Sequence, residues 1–437
     1  MKSAYRDHAF VIALASIATA NSVLFLYFVE KASIRVPVYD LLDWLQFYDD
    51  RMQTNDWFGY LWSPHNEHRL VLSRILLAID VRWFDSGGTA FAIFGLVLLM
   101  AMAASLSWEI LKSDLSRSWK AAVIPFAILL LMPADTVVMI GMPALGIYLH
   151  TSAFAVFSLV LLDGVAEQGR FSDYRRGAAI IAGCLTSFGV SGGLLIWLVL
   201  MWLAWRGNLG WRWIAGVACV GSLFIAVYLW GLPLSTMPTS FNVGHLVEMF
   251  DYAIRFLGLP WSHMHQLVWP ARLLGFGMLC LGAGLLIHGS FAAGSLTRLQ
   301  RIGLALILFV FLLAAAAALA RVDVAKDREM PVRYGMFVVL AHVGILLYAL
   351  PFLQRVWHGR HQRSLQWLTL GIAVTLVGQQ IVIGRFAVQE ASRYNQAWSH
   401  FVAGDWTPDM LHYVYPDRER AREGLAHLRK MGLHNGE

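Results

Sequence analysis

Two carboxylates stand just after the first apolar segment of the chain, where a long polar loop begins. They are Asp40 and Asp43, which are three positions apart. A carboxylate at a membrane surface can take the proton from an acceptor hydroxyl as a general base. Transfer of a sugar from a lipid phosphate suits such a site, because the leaving group is already an anion and has little need of a general acid. The residue types therefore predict Asp43, or its neighbour Asp40, as a catalytic base.

Arginines in the polar loops are candidates for holding a phosphate. The guanidinium group offers a planar fork of N–H donors that matches phosphate oxygens. The candidates are Arg69, Arg321, Arg328 and Arg333. The segment 321–333 also carries acidic residues, so an ordinary solvated loop between two helices is an alternative interpretation, and the spacing leaves both open.

The string Ser63-Pro-His-Asn-Glu-His-Arg69 concentrates polar side chains in the first loop. Imidazole and carboxylate groups bind transition metals, and His65, Glu67 and His68 supply both. The two histidines are three positions apart and lack a clear third ligand, so a hydrogen-bonded structural cluster is an equally good interpretation. The sequence assigns no cofactor and leaves a divalent metal ion open.

The composition places these residues in a membrane protein. Of 437 residues, 58% are hydrophobic and only 14% are charged, with a mean hydropathy of +0.57. A soluble domain has about 25% charged residues, and apolar runs that can cross a ~30 Å hydrocarbon core recur along this chain. The three cysteines lie inside such runs and indicate neither disulfides nor a metal site. The net charge of +6 is explained by short basic loops, so no nucleic-acid partner is expected.

Basic loops alternate with longer polar loops and predict the topology. Lys2 and Arg6 precede the first span, and later basic residues fall in every second loop, which places those loops in the cytoplasm. We predict an all-α polytopic membrane bundle of about eleven spans, with a cytoplasmic N-terminus and an outward C-terminus. The transmembrane module covers 1–386, with its first outward loop at 30–88, and an outward helical tail covers 387–437.

Three segments are expected to depart from regular spans. The stretch 70–84 is apolar but interrupted by three charged residues at roughly helical spacing, which predicts an amphipathic helix in the membrane interface. Glycines in 187–193 predict a broken pair of short helices with non-helical backbone between them. A helix at 416–431 has its apolar residues near one face and predicts a small cap on the outward surface. The alternative is that this tail shapes the acceptor site.

Four stretches together resemble a known family of membrane enzymes. They are Asp43-Trp44, Leu61–Arg69, the loop from Arg321 to the pair Arg333-Tyr334, and 411–431. Their order resembles the GT-C superfamily of polyprenyl-phosphate-sugar-dependent glycosyltransferases, in its bacterial multi-span members. The likeness extends through most of the chain as layout, and the string His65–Arg69 is its most specific motif. Two stretches differ from related sequences, namely Val332-Arg-Tyr334 and Asp135–Met142.

The resemblance implies a fold, a reaction and a set of site residues. The donor is a sugar on a polyprenyl phosphate, used at the outer face with inversion at the sugar carbon, and the acceptor is a glycan, a lipid or a protein. Asp43 maps to the catalytic carboxylate, with Asp40 as its neighbour. The arginines hold the donor phosphate, and the residues that order the loop or contact the sugar are His65, Glu67, His68 and Tyr334. The implied location is the bacterial inner (plasma) membrane.

Two other classes of function remain open from the sequence. A transporter or flippase of a lipid-linked or anionic solute would use the same arginines without chemistry, but ionisable coupling residues deep inside spans are scarce. A membrane O-acyltransferase would need a catalytic histidine, for which His150 is the candidate.

Overall fold

The computed structural model describes residues 2–163, 172–232, 242–259, 268–291, 296–322 and 330–433. Every regular element in these segments is a helix, which confirms the predicted all-α class. The α-helices are α1 (Lys2–Lys31), α2 (Asp40–Gln53), α3 (Trp57–Trp62), α4 (Val71–Trp83), α5 (Thr89–Lys112), α6 (Arg117–Leu131), α7 (Asp135–Gly141), α8 (Gly146–Asp163), α9 (Ser172–Ser187), α10 (Ile196–Arg206), α11 (Trp211–Leu229), α12 (Val243–Leu257), α13 (Val268–Phe291), α14 (Arg298–Arg321), α15 (Gly335–Trp357), α16 (Gln362–Ala403), α17 (Pro408–Val414) and α18 (Arg418–Lys430).

The chain is a multi-pass membrane protein. Within the described residues, eight helices are long and apolar enough to cross a bilayer, namely α1, α5, α8, α11, α13, α14, α15 and α16. The pair α6 and α7 becomes a ninth candidate if it counts as one span bent by 56°. The prediction of about eleven spans also included α9 and α10. With 16 and 11 residues, these helices are about 24 and 17 Å long, shorter than a ~30 Å hydrocarbon core, so the number eleven stays a prediction.

Contacts between loops define one end of the bundle, the basic end. The Ser116 N–H donates to Gln354 Oε1 at 3.0 Å, which joins the turn before α6 to the last part of α15. The Gln362 amide donates to Asp7 Oδ1 at 2.5 Å, which joins the start of α16 to the start of α1. The predicted cytoplasmic loops at these places therefore lie together in space.

The opposite end, the loop end, gathers the segments that were predicted to face outward. The Ile34 N–H donates to Gly141 O at 2.8 Å, and the Ser191 N–H donates to His68 Nδ1 at 3.1 Å. The chain around 187–193 is therefore a turn at this end, between the antiparallel helices α9 and α10. The division of these loops between two ends agrees with the sequence, while the side of the membrane that each end faces stays a prediction.

The predicted amphipathic segment 70–84 forms the helix α4, but two of its charges point inward. Arg74 is 4% exposed and donates to Ser63 O at 2.6 Å and to Tyr60 O. Asp80 is fully buried and accepts from the N–H groups of Gly88 and Ala90, each at 2.7 Å, at the start of α5. These charges satisfy backbone groups of the neighbouring turns, as buried charges must, so their spacing reflects internal bonds as well as a solvated face.

The tail folds back onto the first loop. The boundary predicted after residue 386 falls inside α16, which continues without a break to Ala403. Beyond it, α18 packs on α2, with Ala421 and Leu428 fully buried and Gly424 directly against Leu42. The tail therefore docks as a cap on the helix that carries Asp40 and Asp43.

Candidate functional site

The helix α2 holds the two predicted carboxylates at one place on its surface. One face of the helix is fixed in the core by Leu41, Leu42 and Leu45, each of which is at most 2% exposed. Asp40 and Asp43 are neighbours three residues apart, a spacing that places side chains on the same face of a helix. Asp40 is exposed and Asp43 is half-buried, so both stand at the edge of the core and not within it.

The tail supplies a hydrogen-bond partner for Asp43. The Tyr415 hydroxyl donates to Asp43 Oδ2 at 2.9 Å, and Arg420 Nη1 donates to the Tyr415 oxygen at 3.2 Å. Burial raises the pKa of the Asp43 carboxyl above its ordinary value, and the charge of Asp40 adds to this effect. The hydrogen bond from Tyr415 and the charge of Arg420 oppose the shift in pKa. A raised pKa improves the proton affinity of a general base, while the bond to Tyr415 fixes its orientation.

The string 65–68 forms a tight turn. His65 and His68 exchange two backbone hydrogen bonds of 2.8 and 2.9 Å, and Asn66 between them has a φ of +50°. Asparagine tolerates this left-handed conformation better than most residues. These bonds fix the backbone that carries His65, Glu67 and His68.

Each imidazole of this turn already accepts a hydrogen bond. The Trp44 indole N–H donates to His65 Nε2 at 3.3 Å, and the Ser191 backbone N–H donates to His68 Nδ1 at 3.1 Å. Burial lowers the pKa of both rings, that of His68 to about 4, so both are neutral near pH 7. A neutral ring has a single accepting nitrogen, and the other nitrogen of each ring therefore carries a proton. In this arrangement, neither ring offers a lone pair to a metal ion.

Arg69 lies in the core and is bound by backbone carbonyls. It is 2% exposed, and its Nε donates to Tyr228 O at 2.6 Å. Its two terminal nitrogens donate to the carbonyls of Trp62 and Trp230, and its guanidinium lies 4.6 Å from the centre of the Trp62 ring. The side chain therefore joins the first loop to the end of α11. Its N–H donors are bonded to backbone carbonyls in this structure and not free for the predicted phosphate contact.

Arg321 is paired with the turn. Its Nη2 contacts Glu67 Oε1 in an ion pair, and the same oxygen lies 3.7 Å from His68 Nε2. This pair joins the turn to the end of α14 and compensates the charge of Arg321. Arg328, the third predicted phosphate-binding arginine, lies outside the described residues.

Arg333 is held between two phenol rings at the start of α15. Its guanidinium carbon lies 5.8 Å from the centre of the Tyr148 ring and 5.6 Å from that of Tyr334, and it interacts with both hydroxyls. Phe256 packs on Tyr334 with ring centres 5.0 Å apart. No carboxylate pairs with Arg333 among the described residues. Arg69 and Arg321 already have partners, so among the predicted arginines that the structure describes, Arg333 is the one that can bind an external anion.

Electrostatics joins these parts into one site. The negative charges of Asp40 and Asp43 both act on His65. His68 is affected by the positive charge of Arg333 and by the negative charge of Asp40. The charges of the predicted carboxylates of α2 and of Arg333 therefore all act on the turn 65–68 at the loop end.

Several residues of this region were not singled out from the sequence. Tyr415 and Arg420 belong to the tail and Tyr148 to α8, and nothing in their local pattern places them beside Asp43 or Arg333. Asp135 was noted as a departure from related sequences; it is fully buried, with its carboxylate facing Gly335 at the first turn of α15.

A second cluster of polar side chains lies where α2 meets α18. Ligand atoms of Asp49, Asp50 and His427 fall within 4.8 Å of one another. Asp49 already accepts from His427 at 3.0 Å and from Gln53 at 2.8 Å, and Lys430 Nζ is 3.8 Å away. These bonds hold the tail on α2, which accounts for the cluster without an ion.

His150 has no open access. It is fully buried in α8, with its ring centre 5.1 Å from that of Phe94 and its Nε2 beside Gly146. The histidine that an O-acyltransferase would need is thus closed off in this structure.

No protein-family model, curated protein or solved structure matches the chain.

Proposed function

We propose that the chain is a membrane glycosyltransferase of the GT-C type. It moves a sugar from a polyprenyl phosphate to an acceptor hydroxyl at the outer face of the bacterial inner membrane, with Asp43 as the general base. In this proposal the loop end faces outward and the N-terminus is cytoplasmic. The observation that supports it best is that the charges of Asp40 and Asp43 act on His65 and those of Asp40 and Arg333 act on His68, while Arg333 has no carboxylate partner among the described residues.

The reaction uses these groups in complementary roles. Asp43 takes the proton of the acceptor hydroxyl while the oxygen of that hydroxyl attacks the sugar C1. The bond between C1 and the phosphate oxygen breaks on the opposite face, which inverts C1 and releases polyprenyl phosphate. Arg333 binds that phosphate and stabilises the charge that it gains as it leaves. The turn 65–68, braced by Arg321 through Glu67, orders the wall of the site and presents His65 and His68 to the sugar.

A transfer assay on the purified protein in nanodiscs tests the proposal. Polyprenyl phosphates carrying radiolabelled sugars are offered with a panel of acceptors, and release of polyprenyl phosphate is measured. We expect turnover by the wild type and a loss of at least about 100-fold in Asp43→Asn, since general base catalysis contributes about 10² to 10⁴. Asp50→Asn is the matched control, because it changes an exposed carboxylate on the same helix and should leave turnover intact.

A second experiment examines the phosphate contact. Arg333→Gln should weaken binding of polyprenyl phosphate itself, whereas Arg355→Gln, at the other end of α15, should not. Full activity in Asp43→Asn would show that another group is the base, and Asp40→Asn would then be tested. Tight lipid binding without turnover of any donor would instead favour the transporter or flippase.

A further inference from the structure

An elongated groove lies between α1 and α16 in the halves of these helices that approach the loop end. The two helices run parallel, since Gln362 bonds to Asp7 at the basic end and Gly384 packs on Phe28 further along. The groove is separate from the region around Asp43, and none of the predicted site residues lines it.

The lower part of the groove is mostly apolar. It has a volume of about 470 Å³, and its walls include Leu24, Tyr27, Phe28 and Ile381, with Arg385 at its side. Tyr27 is 52% exposed, and a tyrosine in this position is typical of the membrane interface. The chemistry of this part suits lipid chains, with one cation at the level where the apolar wall ends.

The upper part of the groove is polar. It has a volume of about 430 Å³ and shares Val388 with the lower part, so the two parts adjoin on the surface between α1 and α16. The other residues of its lining are Lys31, Ser392, Asn395, Gln396 and Ser399. Hydroxyl and amide groups of this kind bind a polar headgroup through hydrogen bonds.

The cations of the groove are weakly compensated. Glu30 lies 3.2 Å from Lys31, but both side chains are at least half exposed, and such a pair contributes little. Glu390 is paired with Arg393 at the next turn of α16. Arg385 has no carboxylate partner in the part of the chain that the structure describes, so the groove attracts an anion.

We propose that this groove binds an anionic glycerophospholipid of the phosphatidylglycerol class. Acyl chains lie against Leu24, Phe28 and Ile381, the phosphate lies between Arg385 and Lys31, and the glycerol headgroup reaches the hydroxyls and amides above. The order of apolar wall, cation and polar wall along the groove matches the order of groups in such a lipid. The assignment does not depend on sugar transfer and holds for an enzyme or a transporter.

Retention of lipid by the whole purified chain tests this site. The protein is placed in nanodiscs of phosphatidylcholine containing a small fraction of phosphatidylglycerol, extracted gently, and its bound lipids are counted by native mass spectrometry. We expect phosphatidylglycerol to be enriched over phosphatidylcholine, and Arg385→Gln to reduce that enrichment roughly fivefold, as expected for one cation at a membrane surface. Arg363→Gln, an exposed arginine at the basic end of the same helix and outside the groove, should have no effect.

A steric variant distinguishes lipid binding in the groove from attraction of the lipid to surface charge in general. Val388→Trp fills the place where the two parts join and should abolish the enrichment, while Val382→Trp, on the exposed surface of α16, should not. Equal retention of the two phospholipids by the wild type, or unchanged enrichment in both Arg385→Gln and Val388→Trp, would overturn the proposal. Displacement of phosphatidylglycerol by an equal fraction of polyprenyl phosphate would also overturn it and assign the groove to the carrier lipid.

Discussion

At the level of single residues, the site is defined by what each polar group already binds. Arg69 and Arg321 have partners within the protein, whereas Arg333 is held by phenol rings that leave its charge uncompensated by a carboxylate among the described residues. Asp43 is likewise oriented by a neutral hydroxyl and not by a cation in direct contact. The proposed reaction needs Arg333 to be available for an anion and Asp43 to be available for a proton.

Tyr415 should tune the proton affinity of Asp43. Its hydrogen bond lowers the pKa of this carboxyl against the effect of burial, so Tyr415→Phe should raise the pKa. The acidic limb of the pH–rate profile should then move to higher pH, with less activity in mild acid and less change at alkaline pH. Tyr413→Phe serves as the control, since that residue belongs to the same helix region and does not bond to Asp43. An unchanged acidic limb would show that the contact is structural.

His68 should make the fold sensitive to acid. Its pKa is about 4 in the folded protein and 6.5 ordinarily, so the unfolded chain binds the proton more readily between these values. The stabilisation is present above about pH 6.5 and declines as the pH falls towards 4, by at most about 3 kcal/mol. Thermal unfolding in detergent at several pH values measures this loss of stability. The loss should be smaller in His68→Gln and unchanged in His361→Gln, which replaces an exposed histidine.

At the level of elements, the tail and the first loop behave as one unit. The cap α17–α18 is joined to α2 through backbone as well as side chains, since the Tyr39 N–H donates to Val414 O at 2.9 Å and its hydroxyl donates to His412 O at 2.5 Å. Tyr39 immediately precedes Asp40 and has a φ of +50°. The position of the carboxylates therefore depends on the docking of the tail.

Weakening the packing of α18 should disturb the site although none of the site residues is changed. Leu428 is fully buried and belongs to α18, which packs on α2, and shortening such a side chain costs about 2–5 kcal/mol. Leu428→Ala should increase cleavage of the tail by protease and lower transfer activity, whereas Glu423→Ala on the exposed face should do neither. Increased cleavage with undiminished activity would separate the tail from catalysis.

The sequence predicted the positions of these helices better than it predicted the residues that they contact. Apolar length and helical spacing identified the long helices, the helix at 70–84 and the tail helix, because these signals are local. The sequence did not predict the inward orientation of Arg74 and Asp80, since a helical pattern of charges looks the same whether it faces water, buried carbonyls or buried N–H groups. Contacts such as Tyr415 with Asp43, 372 positions apart, leave no trace in spacing and become visible only when the chain is folded.

At the level of the whole molecule, the two ends of the bundle differ in chemistry. The basic end is held by buried ion pairs, in which Asp163 accepts from Arg301 at 2.7 and 3.1 Å and Arg298 lies 2.8 Å from Glu109. These pairs connect α5, α8 and α14. At the loop end, by contrast, Arg333 has no carboxylate partner among the described residues, so its charge is the one that an external anion could compensate.

The two ends should label from opposite sides of the membrane. Glu419→Cys on α18 and Ser118→Cys at the start of α6 are placed in a background without native cysteines, and membrane vesicles of known orientation are treated with an impermeant thiol reagent. We expect Glu419→Cys to react from the outside and Ser118→Cys only from the inside. Reaction of both from one side would contradict the topology, and the reverse result would invert its orientation.

The bond between Tyr415 and Asp43 also has a consequence for biosynthesis. A ribosome that adds about 5–20 residues per second needs roughly 20–70 s to proceed from Asp43 to Tyr415, since 372 positions separate them. During that time the first loop has left the ribosome without the hydroxyl that orients its carboxylate. The nascent protein therefore passes through the membrane-insertion stage with an immature site, and maturation depends on the segment that is translated last among those that form it.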